Sequence, residues 1–197
     1  MIALVTGSAV VGGEFFLSGC TPGTGTEPGF SSSNISLLDE VGETILPATS
    51  TPGAKAAQVG EFMKTYVTNC YSQAQQDAFT KGIVSLQDAA KTKFSKSFMD
   101  CSIEQRTELL NDLEKEAKKY NADQSEKDKP AYEELKKKNQ SDKFVGSPQH
   151  YYTMMKQLTL LGFFTSRQGA TEAMRHVAVP GRYDGALPYK KGDKAYS

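Results

Sequence analysis

The side chains able to do chemistry here are few, and the cysteines come first. Cys20 follows Leu17-Ser18-Gly19, an aliphatic residue and two small residues ahead of a thiol, as in a bacterial lipobox. Small residues at 18 and 19 would let the chain lie extended in a peptidase groove, and the Cys20 thiol would accept a diacylglycerol. Lipid at that position holds a protein at a membrane surface without a spanning helix. Cys70 and Cys101 are then left as a pair. In an oxidising compartment they would bridge, closing a loop of about 30 residues and stabilising by about 3–4 kcal/mol; the alternative is two inert buried thiols. His150 and His176 have no ligand spacing with either cysteine and no evident nucleophile partner, so they read as surface or capping residues at helix ends. Asp39, Glu40 and Glu43 are close together, but such a group is most often a solvated helical face. No Gly-x-Gly-x-x-Gly follows a strand, and no phosphate-cradling Gly-Lys-Ser/Thr and no paired-Cys metal spacing occur. No catalytic residue, metal site or cofactor is expected on this chain.

The elements that carry these residues read as helices. Residues 1–19 have the apolar run of a signal peptide. The first Lys or Arg is Lys55, so the charged start of such a signal is expected ahead of residue 1. The alternative is a buried N-terminal helix with a core cysteine. Gly12, Gly13 and Glu14 weigh against it, because glycine inside a helix costs about 1 kcal/mol relative to alanine. Residues 20–33, almost all Thr, Pro, Gly and Ser after the cysteine, read as a flexible tether of roughly 20 Å span.

From residue 34 to 197 an all-α domain of six to seven helices is expected, with an irregular C-terminal extension. Ser33 or Asn34 caps a first helix bearing Ile35, Leu38 and Ile45 on one face, with Leu37 and Val41 beside it, and stopping at Pro47. Val59, Met63, Tyr66 and Cys70 recur at helical spacing, as do Phe79, Ile83, Leu86 and Ala90. Ser102-Ile103-Glu104-Gln105 is a capping box opening a stripe of Ile103, Leu110, Leu113, Ala117 and Tyr120. Residues 112–143 are dense in charge of both signs, which reads as a solvated face, with Pro130 starting a helix. Ser147 and Pro148 open a helix ended by Gly162, with Tyr151, Met155, Leu158 and Leu161 inward; a short helix spans about 166–176. Residues 177–197 hold too many Pro and Gly for regular structure and too many aromatics for plain disorder. No strand alternation stands out.

Bulk composition excludes whole classes. The 197 residues carry 23 basic and 23 acidic side chains, without the basic excess of a nucleic-acid binder. No apolar run reaches the roughly 18–20 residues of a spanning helix.

Two blocks carry more than helical periodicity. Residues 37–63 supply Pro47, Thr51, Pro52, Gly53 and Ala54 in a loop between helices. Residues 151–185 supply Lys156, Leu158, Thr159, Gly162, Phe163, Phe164, Thr165, Ser166, Gly169, Ala170, Pro180, Gly181, Tyr183 and Gly185. In order and spacing these resemble the gluconate 2-dehydrogenase subunit 3 family. The resemblance implies a non-catalytic accessory subunit of an exported oxidoreductase. Its partner would be a large flavin-dependent dehydrogenase of the glucose-methanol-choline type that holds the FAD and the substrate, and a cytochrome c often completes such a complex. With the lipid on Cys20, the assembly would face the periplasm from a bacterial membrane. Phe163, Phe164, Tyr183 and Tyr189 are the expected partner contacts, although Phe163 and Phe164 could equally fill the chain's own core. The reading set against this one is a free-standing periplasmic lipoprotein that binds carbohydrate on its tyrosines.

Overall fold

The computed structural model describes residues 29–179, 181–182, 185–188 and 190–196. Cys20, Tyr183, Tyr189 and the expected signal segment lie outside them. The described chain is all-α, without strands: α1 Ser32–Ile45, α2 Val59–Cys70, α3 Gln73–Phe94, α4 Ile103–Lys137 and α5 Tyr151–Thr165. Short 3-10 turns at Ala54–Ala57, Phe98–Asp100 and Ser141–Lys143 and a π turn at Gly169–Ala173 join or follow them. None of the described helices is long and apolar enough to cross a membrane.

The helix starts are chemically explicit. Ser31, two residues ahead of the expected cap, accepts the Asn34 N–H on its Oγ. Ser72–Gln75 and Ser102–Gln105 each form a reciprocal capping box, satisfying orphan donors at both ends of the pair. The packed domain also begins earlier than residue 34, because Phe30, placed in the tether by composition, is buried with its ring stacked on Phe79 at 6.0 Å.

Helix α5 is the centre of the bundle and packs against each of the other four. Its inward residues Met155, Leu158 and Phe163 meet Leu38 and Val41 of α1, Met63 and Val67 of α2, Phe79 and Ile83 of α3, and Leu110 and Leu113 of α4 in one core. Two glycines set how closely it is approached. A β-carbon on Gly82 of α3 would sit 2.1 Å from Cβ of Tyr151, and one on Gly162 would sit 2.7 Å from Cδ1 of Phe62 on α2. Gly162 therefore lies inside α5 as a contact point, and the helix runs on to Thr165.

Other expectations also change. Pro130 does not start a helix. It lies within the 35 residues of α4, which continue through it. Ile103 and Leu161 are 73% and 41% exposed, so neither belongs to its inward stripe. Ser147 does not cap α5, and its N–H and hydroxyl are instead bound by the Asp128 carboxylate on α4 at 2.6 and 2.8 Å. Cys70 and Cys101 are free thiols, the first exposed at the end of α2 and the second buried just before α4, and the expected bridge is not formed.

Candidate docking surface around the last helix

Helix α5 is positioned from both ends. At its start His150 is the cap: Nδ1 accepts the Tyr152 N–H at 3.3 Å. Asn121 of α4 accepts the His150 N–H at 2.8 Å and donates to the Thr153 hydroxyl at 2.8 Å. The His150 ring is buried between Tyr120, 5.4 Å away, and Tyr151, 4.3 Å away. Burial holds its pKa below the ordinary histidine value, only partly opposed by Glu116, whose Oε1 is 3.9 Å from Nε2. Burial also pushes the phenols of Tyr151 and Tyr152 up to about 12, so both stay neutral. At mid-helix Lys156 pairs with Glu114 of α4 at 2.7 Å.

The loop that precedes α2 is held from α1. Glu43 accepts the backbone N–H of Ala48 on one carboxylate oxygen at 2.8 Å and that of Lys55 on the other at 2.9 Å. Asp39 accepts the N–H of Gly60 at 2.8 Å, and burial is the main influence raising its pKa. Glu40 binds Lys55 and, at 2.6 Å, Arg106 of α4, whose guanidinium also donates to the carbonyls of Phe98 and Met99. Lys55 is the main cause of the lowered Glu40 pKa. These three carboxylates, read as solvated from their clustering, are the fastenings of the Pro47–Ala54 loop. Apart from Ala48, five residues from Glu43, their partners lie 12 to 66 positions away in sequence, beyond the reach of a local pattern.

With α5 fixed, its outward side can be read. A helix apolar on every side is ordinarily buried on every side. Helix α5 has buried Met155, Leu158, Thr159 and Phe163, yet leaves Leu160, Leu161 and Phe164 at 37%, 41% and 41% exposure. Phe163 and Phe164 thus part company in burial. Phe163 fills the core, and Phe164 stands outside with its ring edge-on to Phe163 at 5.1 Å. Leu160, which the sequence did not single out, and Leu161, which it placed inward, are spaced to join Phe164 in one ledge.

Beyond α5 the chain makes a closed loop. Arg175 donates its N–H to the Ala195 carbonyl at 2.7 Å and its Nη1 to the Tyr196 hydroxyl at 2.8 Å, with the guanidinium 5.0 Å from that ring. Lys194 also donates to the Glu172 carbonyl. Val177, Val179 and Leu187 on this loop are exposed. A family model described as gluconate 2-dehydrogenase subunit 3 matches residues 32–181. No curated protein and no solved structure matches the chain.

Proposed function

Because this chain belongs to the gluconate 2-dehydrogenase subunit 3 family, we propose that it is the non-catalytic small subunit of a periplasmic, membrane-associated sugar or sugar-acid dehydrogenase. The FAD and the substrate site belong to the large subunit, and this chain assists that subunit's assembly, export or anchoring. The observation that carries the reading is the outward face of α5. Leu160, Leu161 and Phe164 form an apolar ledge on a helix otherwise built for an interior, which is the surface an obligate partner covers. The exposed apolar residues of the loop after Arg175 extend the same kind of surface. The pattern at residues 17–20 supports a lipid on Cys20 as the anchor.

The test is capture from gently solubilised membranes of the native host through a C-terminal tag. A large protein with flavin absorbance is expected to co-purify in equal amount. Elution of the chain alone, folded and colourless, overturns the proposal.

A further inference from the structure

We infer that the cleft between the end of α2, the segment before α5 and the flank of α5 is a binding site for an uncharged pyranose sugar. It has a volume of about 440 Å³, ample for a single hexose. Tyr66 and Tyr71 stand at its α2 side with their rings at 89° and 5.6 Å apart, Met154 and Leu158 are part of its apolar floor, and Leu161 stands at the border that it shares with the exposed ledge of α5. Gln149 and Gln157 bring two carboxamides to the same space, and Gln75 adds its NH2 group, its oxygen being held by Ser72. No Lys, Arg, Asp or Glu lines it.

That combination selects a chemistry. A pyranose has an apolar C–H face and a rim of hydroxyls, each both donor and acceptor. Aromatic rings suit the face. A carboxamide, carrying donors and acceptors together, suits the rim without a fixed charge. The phenol hydroxyls of Tyr66 and Tyr71 and the amides of Gln149 and Gln157 make no hydrogen bond to other described residues, so they remain available to a ligand. A sugar acid or sugar phosphate is a poor fit, because desolvating its anion requires a counter-charge. The contrast is internal to the molecule. The cleft of about 510 Å³ along the far half of α4 is lined by Glu126, Asp128, Lys129 and Glu133. The site on this chain would therefore hold the neutral sugar and reject its oxidised, anionic product. This goes beyond the accessory role and does not depend on it.

The measurement uses the full chain purified alone, isotopically labelled, titrated with D-glucose and separately with sodium gluconate at matched ionic strength. The side-chain amide resonances of Gln75, Gln149 and Gln157 are the readout. Glucose is expected to shift them saturably, with a dissociation constant on the order of millimolar for so small a ligand, while gluconate leaves them in place. Tyr71→Ala is expected to weaken binding by about tenfold or more, the typical consequence of losing a buried aromatic contact. Gln157→Ala, at an exposed position that does not threaten the fold, is expected to weaken it several-fold. Absence of saturable shifts, equal response to gluconate, or unchanged binding in the Gln157→Ala chain overturns the assignment. Because no partner is present in this titration, its failure leaves the co-purification result untouched, and the reverse also holds.

Discussion

The far half of α4 and the outer face of α5 are both helix surfaces turned to solvent, and they are finished in opposite ways. On α4 the exposed side chains answer one another at helical spacing: Lys129 with Glu126 at 3.7 Å, Lys136 with Glu133 at 4.0 Å, and Lys138 with Glu134 at 2.7 Å. Each such pair contributes little in open solvent, but together they leave a surface that water satisfies. On α5 the exposed positions are Leu160, Leu161 and Phe164. Water does not satisfy these, and the helix is held too firmly by its other faces to turn them away. Exposure alone therefore says little about function. An exposed face that matches its surroundings is complete, and one that does not is waiting for something.

The sharpest way to break this comparison uses two neighbouring rings. Phe163→Ala is expected to lower unfolding free energy by about 3–5 kcal/mol in a urea melt, since it empties part of the core. Phe164→Ala is expected to stay within about 0.5 kcal/mol of the parent. Equal losses would mean that the ledge is a second piece of core. Next in size is Pro130, which removes a helix donor from α4. Pro130→Ala is expected to stabilise that half of the helix locally by about 1–3 kcal/mol, seen as slower amide exchange around residues 126–134 with little change in global melting. Leu161→Glu combined with Phe164→Glu is expected to reduce capture of the proposed large subunit by about thirtyfold or more while leaving the melt unchanged, as for loss of a hot spot of about 2 kcal/mol. Lys136→Glu on α4, tested alongside, is expected to leave capture unaltered.

The smallest effect is one of acidity. His150 has a folded-state pKa below its unfolded value, so the unfolded chain binds the proton more readily. Its contribution to stability is present above the ordinary histidine pKa and is lost as pH falls from there through the lowered folded value. Protonation also turns Nδ1 from acceptor into donor and removes the cap on Tyr152. Melts between pH 7.5 and 5 are expected to show stability falling on acidification, with His150 contributing a slope of at most about 1.4 kcal/mol per pH unit. His150→Asn keeps a capping side chain and is expected to flatten that part of the profile.

Much of the fold was legible because it rests on local rules. The stripe Phe79, Ile83, Leu86 and Ala90 is buried as its period required, and the Ser102–Gln105 box opens α4 as its chemistry required. The failures share a cause. Gly162 looks like a helix stop until Phe62 is seen lying against it. Pro130 looks like a helix start because the sequence does not show that the helix beginning at Ile103 outlasts it. Asp39, Glu40 and Glu43 look solvated until the backbone of another element arrives to be held. Ile103 fits the heptad-like stripe but sits at the first position of α4, where its side chain is left exposed. For Gly162 and for the three carboxylates the deciding partners include residues distant in the chain, whereas Pro130 and Ile103 were misjudged because the bounds of α4 were not known. For the proposed docking surface, Phe164 was chosen through its place in a motif, while the exposure of Leu160 and Leu161 beside it became visible only once the inward side of α5 was known.

The closure of the last loop has a consequence for how freely this region can change. Arg175 and the Ala195–Tyr196 pair meet at its base, so the span between them departs from one point and returns to it. Lengthening such a span is thermodynamically mild, since doubling a flexible loop adds only about 0.6 kcal/mol of closure entropy. A change of loop length between Arg175 and Ala195 is therefore expected to leave the bundle's melting almost unaltered so long as these two residues still meet, which a melt of a variant with a lengthened loop checks.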